Sequence, residues 1–318
     1  MNRYEPCNPN TSREALNVLE YLWGLRGNGI LLGQHTQTRP QEELKYIREV
    51  TGKQPALCGF ELLAYSPNIN YEESDEECLT EVEENKDTLE LAYTWAEQRG
   101  IITFTWHWFS PLYGTGKAFY QKNTPFDARL ALQSGTPERK EFINDMDAMA
   151  EILMPFCEKR IPVLWRPFHE AEGQWFWWGN RGPQTAKGLY CDMYDRFVNI
   201  YKLNNLIWVW NSPLPEGYPG NEYCDVISRD MYLPKDTHSD YSEGYNELVK
   251  ITKADKITAL GETGPIPGIE QLKQTRIPWT WFMTWSKGIC YDMTSKDVLK
   301  AAYNSEYGIT LDKLPKLY

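Results

Sequence analysis

Eight short apolar segments alternate with helical patterns along this 318-residue chain, and that alternation limits the possible folds more than any other feature. Most of the segments are continuous apolar runs, which are typical of strands buried on both faces of a parallel sheet. The predicted strands cover residues 29–34, 55–60, 101–105, 161–165, 206–210, 224–228, 257–260 and 279–283.

Helical patterns occupy the stretches between these strands. The first follows a capping box, Thr11-Ser12-Arg13-Glu14. The alternation predicts a (β/α)8 TIM barrel with long βα loops. The alternative is an open doubly wound sheet, but Gly33-Gln34-His35-Thr36 is not the glycine-rich turn that normally follows its first strand. The predicted helices cover residues 14–25, 42–50, 85–99, 140–157, 184–201, 241–252 and 296–303, with a weaker one at 269–274.

Composition excludes several classes of partner. The net charge is −11 and no basic run is present, so nucleic acid is not an expected partner. No apolar run reaches 18 residues, which argues against a membrane span. The seven cysteines contain no C-x-x-C pair, so we expect free thiols and neither a disulfide framework nor a zinc site. With no break in composition, the chain is predicted to form a single monomeric domain over residues 1–318.

Polar and aromatic side chains gather where the predicted strands end, which is where barrels carry their chemistry. Three of the four histidines, His35, His107 and His169, lie there. That placement favours function for His107 and His169, whereas for His35 structure and function are equally open. Glu170 and Glu262 follow the fourth and seventh strands. The other residues at these ends are Glu61, Trp106, Trp108, Arg166, Asn211, Asp230, Tyr232 and Trp285.

Glu170 and Glu262 form a candidate pair of catalytic carboxyls. Strands 4 and 7 face each other across a barrel mouth, and a retaining glycosidase needs two carboxyls about 5–5.5 Å apart. Apolar, indole-rich surroundings should raise the pKa of Glu170, so that it can hold a proton at neutral pH. The alternative is that each glutamate only forms an ion pair with Arg166 or another cation.

Tryptophans at loops and strand ends are candidates for sugar stacking, because an exposed indole offers a flat apolar face. By contrast, Trp208 and Trp281 lie within strands and are expected in the core. The predicted exposed platforms are Trp106, Trp108, Trp175, Trp177, Trp178 and Trp285.

These residues together resemble a known family. The segment from Trp165 to Gly179, WRPFHEAEGQWFWWG, resembles the acid/base motif of glycoside hydrolase family 26, the β-mannanase family. The resemblance implies a (β/α)8 retaining hydrolase, without metal or cofactor, that cleaves internal β-1,4 linkages of mannan-type polysaccharides. Further matching stretches are Gly33-Gln34-His35, Thr105-Trp106-His107-Trp108, Tyr218-Pro219-Gly220, Asp230-x-Tyr232, Gly261-Glu262-Thr263-Gly264 and Thr284-Trp285-Ser286.

The resemblance also implies roles for individual residues. Glu170 would be the acid/base, Glu262 the nucleophile, and Asp230 the acidic partner near Tyr232, which would hydrogen-bond the nucleophile. The sequence departs from the family pattern at Ala171-Glu172 and at Glu61. The full predicted substrate-binding set is His35, His107, Trp108, Arg166, His169, Trp175, Asp230, Tyr232 and Trp285.

Three alternatives remain open from the sequence. The same machinery would also suit mixed-linkage β-glucan or β-1,3-xylan. A carbohydrate-binding protein without turnover is a second alternative, and a metal-dependent barrel hydrolase is a third, although no H-x-x-H or H-E-x-x-H spacing is present. The cellular location is also open, because a polymer substrate favours export whereas free cysteines and the absence of an apolar signal region favour the cytoplasm.

Overall fold

The computed structural model describes residues 4–37 and 39–318, and a closed barrel of eight parallel strands forms its centre. Each strand pairs with the next, and β8 pairs back to β1. A two-residue strand, β9, adds to β1 outside the barrel. The predicted (β/α)8 fold is therefore confirmed. The strands are β1 (Ile30–Thr36), β2 (Leu57–Glu61), β3 (Ile101–Thr105), β4 (Val163–Arg166), β5 (Leu206–Asn211), β6 (Val226–Met231), β7 (Ile257–Thr263), β8 (Trp279–Thr284) and β9 (Gly308–Ile309).

Helices connect the strands, and most lie close to their predicted positions. The first begins after Ser12, whose side chain accepts a hydrogen bond from the Ala15 amide, so the predicted cap at Thr11 is one residue early. Within the described ranges, no helix combines the length and apolar character needed to cross a membrane. The helices are α1 (Arg13–Leu25), α2 (Glu42–Thr51), α3 (Glu76–Glu84), α4 (Thr88–Glu97), α5 (Pro137–Glu158), α6 (Pro183–Asp195), α7 (Ser242–Leu248), α8 (Ile269–Thr275), α9 (Gly288–Asp292) and α10 (Lys296–Asn304).

Two of these helices, α3 and α9, were not predicted. Helix α3 is capped by Asp75, whose carboxylate accepts from the Cys78 amide, and it buries only Cys78 and Val82. Helix α9 is five residues long and buries only Cys290. A stripe of one or two apolar residues is too short to give a helical period in the sequence.

The strands are buried on both faces, as their continuous apolar runs predicted. Neighbouring residues of one strand enter different apolar clusters, because successive side chains point to opposite faces. Ile207 packs in the cluster that also holds Leu19 and Leu22 of α1, whereas Trp208 packs in the larger cluster formed with the surrounding helices. Both Trp208 and Trp281 are buried, as expected. All seven cysteines are free.

We predict that Gly33 cannot accept a side chain. A Cβ at this position would lie 2.3 Å from the backbone oxygen of Phe282 on β8. Gly33→Ala should lower the free energy of unfolding by about 1–3 kcal/mol, the usual range for overpacking. Gly24→Ala in helix α1 is the matched control, because nothing lies within 4 Å of its Cβ. It should raise stability by about 0.5–1 kcal/mol. Equal effects of the two changes in urea denaturation would contradict the close β1–β8 packing.

Candidate active site

Three carboxyls from three strands meet at the mouth of the barrel. One oxygen from each of Glu170, Asp230 and Glu262 lies within 4.8 Å of the other two. Oxygens this close are compatible with the carboxyl spacing of about 5–5.5 Å in retaining glycosidases. The two predicted catalytic carboxyls are thus adjacent, with Asp230 as a third member of the group.

The backbone leading to Glu170 adopts an unusual conformation. Phe168 and Glu170 both have left-handed φ angles, +51° and +52°. A residue other than glycine in this region costs about 1–3 kcal/mol and persists only where surrounding contacts impose it. This turn after β4 places the Glu170 carboxyl next to those of Asp230 and Glu262.

Glu170 is the carboxyl that holds a proton most firmly. Burial, together with the negative charges of Asp230 and Glu262, raises the pKa of Glu170 to about 8. The indole Nε1–H of Trp175 donates a hydrogen bond of 2.7 Å to Glu170 Oε2. Glu170 is half-buried, so a substrate oxygen can reach its proton.

Glu262 is buried more deeply but is held by two donors. Arg166 Nη2 donates to Oε1, and the Tyr232 hydroxyl donates to Oε2 at 2.5 Å. Burial raises the pKa of Glu262 to about 7, while Arg166 and Tyr232 act in the opposite direction. Glu262 therefore ionises before Glu170, and its charge then helps to retain the proton on Glu170.

Arg166 lies beneath the carboxyls and not in contact with the cleft, which corrects the prediction that it binds substrate. Its side chain is buried, and it donates to Asp230 Oδ2 at 2.9 Å and to Thr105 Oγ1 at 3.0 Å besides Glu262. Burial lowers the pKa of Arg166, but the negative charges of Asp230 and Glu262 outweigh burial, and the pKa is raised. A cation removed from water needs these carboxylates, so its guanidinium positions them and is not free for a sugar.

His107 and His169 lie side by side, with their Nε2 atoms 3.2 Å apart. The other ring nitrogen of His107, Nδ1, lies 2.7 Å from Glu61 Oε2, and Glu61 Oε1 accepts from the His107 amide at 2.8 Å. Burial lowers the pKa of His107, but the Glu61 carboxylate outweighs burial, and the pKa is raised. Burial, with His107 next, lowers the pKa of His169 well below its usual value. The two neighbouring rings thus differ in proton affinity, with the pKa of His107 raised by Glu61 and the pKa of His169 lowered by burial.

Two indoles and one phenol offer accessible aromatic surface, and the two indoles, Trp175 and Trp285, were among the predicted platforms. Trp175 is 48% exposed and Tyr232 47% exposed. Trp285 is half-buried and stacks on His35, with ring centroids 3.9 Å apart and planes 18° from parallel. His35 is therefore fully enclosed behind this indole, which corrects its predicted contact with substrate. The His35 ring covers one face of Trp285.

Four other predicted platforms are wrong, since Trp106, Trp108, Trp177 and Trp178 are all buried. Trp108 stacks between Trp106 and Phe142, at centroid distances of 4.1 and 5.2 Å. Its Nε1–H donates to Asp145 Oδ2 at 2.7 Å. Because both of its faces are covered, Trp108 has no surface for a sugar and belongs to the buried core next to His107.

The three carboxyls are also the one acidic group with spacing suited to a metal ion, among the residues that the structure describes. Their oxygens are already engaged, however. Asp230 accepts from Asn211 and Arg166, and Glu262 accepts from Arg166 and Tyr232. The Arg166 guanidinium supplies the positive charge that a divalent ion would bring, so this donor set suits proton chemistry and not metal binding.

Sequence reasoning assigned no role to Glu61 or Asn211. Both are buried and both end a strand, where they were noted only by position. Glu61 fixes His107, and Asn211 accepts from the Glu170 amide at 2.7 Å. The available signal was a polar residue closing an apolar strand. The partners of Glu61 and Asn211 lie 46 and 41 residues away.

We predict that Tyr232→Phe weakens the acidity of Glu262. The change removes a hydrogen bond to the ionised form, which is worth about 1.5–3 kcal/mol, so the pKa of the lower of the two carboxyl titration steps should rise by about 1–2 units. The upper step, which belongs to Glu170, should keep its value. Carbon NMR titration of labelled glutamates measures both steps. Tyr113→Phe, at an exposed tyrosine, is the control; a lower step that is unchanged in Tyr232→Phe would contradict the assigned contact.

Comparison with related sequences gives the family of the chain. The chain matches the model of glycosyl hydrolase family 26 over residues 7–313. It is 39% identical over 317 residues to a mannan endo-1,4-beta-mannosidase of Thermothelomyces thermophilus, covering 96% of this chain and 62% of that relative. It is 32% identical to mannan endo-1,4-beta-mannosidase A of a Piromyces species, covering 97% of this chain and 50% of that relative. The chain thus spans only about half to two thirds of these relatives.

Solved structures give the same family. A β-(1,4)-mannanase of Podospora anserina superposes with a TM-score of 0.89 at 33% identity, covering 99% of this chain and 70% of that chain. A β-mannanase from a symbiotic protist of the termite Reticulitermes speratus superposes with a TM-score of 0.87 at 30% identity, covering 98% of both chains. As its motifs predicted, the chain belongs to glycosyl hydrolase family 26.

Proposed function

We propose that this barrel is a retaining, endo-acting glycoside hydrolase that cleaves β-1,4-mannosidic linkages in mannan-type polysaccharides. The observation that carries the proposal is the Glu170–Glu262 pair, whose members lie within 4.8 Å and differ in their hold on a proton. Membership of the family and the names of the relatives support the substrate class. We further propose that residues 1–318 act as one catalytic domain; the monomeric state and the lack of nucleic-acid or membrane partners stay predictions.

In the first step, Glu262 attacks the anomeric carbon while Glu170 gives its proton to the departing glycosidic oxygen. The C–O bond to the leaving sugar breaks as an ester bond to Glu262 forms. That ester removes the negative charge of Glu262, so the pKa of Glu170 falls. In the second step Glu170 takes a proton from water, the water oxygen attacks the anomeric carbon, and the Glu262 carboxylate is released.

Residues around the pair would hold the sugar at the cleavage point. Trp285 presents its upper face for stacking, because His35 occupies the lower one. On the leaving-group side, Trp175 is tied to Glu170 through its Nε1–H and is exposed. His107 and His169 form a polar wall beside them, and His107 lies edge-on to Trp285 at a centroid distance of 5.9 Å.

Asp230 and Tyr232 line the same site from the end of β6. The Tyr232 ring is exposed although its hydroxyl bonds Glu262, so the ring can contact a sugar without moving away from the nucleophile. The Asp230 side chain is almost fully buried on Arg166, and it acts through the charge that it places near Glu170.

The function is tested by product analysis on mannan, galactomannan, lichenan and β-1,3-xylan. We expect the fastest hydrolysis on a mannan, release of internal fragments, and first products in the β-anomeric form by proton NMR. α-Anomeric first products would exclude double displacement. Faster cleavage of lichenan or xylan would reassign the substrate, and the absence of any cleavage would favour a carbohydrate-binding protein.

We predict that Glu262→Ala and Glu170→Ala both stop polysaccharide cleavage but differ on a reactive aryl glycoside. Glu262→Ala lacks the attacking oxygen, so a dinitrophenyl mannobioside should also be inert. Glu170→Ala lacks only the proton donor and later base. This glycoside, which needs no proton, should still form the glycosyl-enzyme, and azide should then accelerate turnover.

The control for this pair of variants is Glu243→Ala, at an exposed glutamate of helix α7, which should behave as the parent. The assay is release of dinitrophenol with and without azide. Equal residual rates of Glu170→Ala and Glu262→Ala on the aryl glycoside would show that the two roles are wrongly assigned.

A further inference from the structure

The side chain of Asn211 lies between the acid/base and the charged network beneath it. Asn211 ends β5 and is fully buried. Its Oδ1 accepts from the Glu170 amide at 2.7 Å, and its Nδ2 donates to Asp230 Oδ1 at 2.8 Å and to Ser228 Oγ at 3.0 Å. A backbone amide can only donate and a carboxylate can only accept, so these partners determine which end of the side chain is oxygen.

We propose that Asn211 is a positioning residue, which fixes the backbone of Glu170 and couples it to the Asp230–Arg166–Glu262 network. This inference rests on the proposed function of that site. Asn211 does not face the cleft, since its side chain has no exposed surface. It therefore acts through Glu170 and Asp230 and not on the sugar.

The first part of this role concerns the left-handed backbone of Glu170. Two consecutive amides at this turn are held by the same residue, since Asn211 Oδ1 accepts from Glu170 and the Asn211 main-chain oxygen accepts from Ala171 at 3.3 Å. A glutamate with φ of +52° is strained, and this conformation persists only where surrounding contacts impose it. Because the carboxyl is carried by this backbone, a change of φ would move the proton donor away from the glycosidic oxygen.

The second part is the link to the nucleophile. Asp230 Oδ1 accepts a hydrogen bond from Asn211, and Asp230 Oδ2 accepts one from Arg166. Arg166 also donates to Glu262. The acid/base and the nucleophile are thus joined by a continuous series of hydrogen bonds. Gly261 leaves room for it, because a Cβ there would lie 2.5 Å from Asp230 Oδ1 and 2.7 Å from Asn211 Nδ2.

Asn211→Leu tests the proposal, because leucine has nearly the same shape but can form none of the three side-chain hydrogen bonds. If the change displaces the acid/base, kcat/KM on mannopentaose should fall by about 10- to 100-fold, the range for a misplaced general acid. The loss on 2,4-dinitrophenyl β-mannobioside should stay below about threefold, because this leaving group departs without a proton.

The matched control is Asn205→Leu. Asn205 is also fully buried and lies just before the other end of β5, where its Nδ2 donates to the Ile161 carbonyl at 2.8 Å. A change that only loosens the fold should lower the rates on both substrates by the same factor. An unequal loss in Asn211→Leu and an equal loss in Asn205→Leu support the proposal. Equal losses on the two substrates in Asn211→Leu, or no loss on either, overturn it.

Asn211→Asp is the second variant and decides the question if the leucine variant does not fold. It keeps the acceptor for the Glu170 amide but, once ionised, cannot donate to Asp230 and adds a negative charge near Glu170. The basic limb of the kcat/KM profile on mannopentaose should therefore move to higher pH, since nearby negative charge raises the pKa of a carboxyl. A profile identical to that of the parent overturns the coupling. Failure of the parent to cleave mannopentaose would instead contradict the proposed function itself.

Discussion

The buried guanidinium of Arg166 is the charge on which the rest of the site depends. Asp230 and Glu262 both bind it, and all three side chains are almost fully removed from water. Taken with Glu170, three carboxyls share one cation. Full ionisation would leave two uncompensated negative charges in a desolvated space, which is strongly unfavourable. Glu170 does not bind Arg166 directly, and burial together with the charges of Asp230 and Glu262 raises the pKa of its carboxyl to about 8.

The barrel makes this arrangement possible by bringing distant parts of the chain to one edge. Arg166 ends β4, Asp230 lies near the end of β6, and Glu262 lies near the end of β7. Thr105 from β3 and Asn211 from β5 complete the contacts below the carboxyls. Since these residues belong to strands of one closed sheet, their relative positions are fixed by strand register and not by loop conformation.

The barrel fold and the two candidate catalytic carboxyls could be predicted from the sequence, for a physical reason. Strands buried on both faces give continuous apolar runs, and the polar residues that end them stand out, which is how Glu170 and Glu262 were identified. The exposure of aromatic residues could not be predicted in this way. Trp108 and Trp175 both lie in loops rich in aromatics, but Trp108 is covered because the chain folds back so that the Trp177 Nε1–H donates to its carbonyl at 2.7 Å. The same limit applies to Glu61, whose carboxylate is explained only by His107, a partner brought near by the fold.

The same count of charges accounts for both halves of the proposed double displacement. When Glu262 is ionised to act as the nucleophile, its charge and that of Asp230 raise the pKa of Glu170 and so favour the proton on it. When Glu262 becomes an ester, Asp230 and Arg166 cancel, so Glu170 can ionise with less repulsion and accept a proton from water. The change of charge on Glu262 itself switches Glu170 from acid to base. Asp230 is what makes the switch sensitive: without its charge, the first state would be neutral and the proton on Glu170 would be held less firmly.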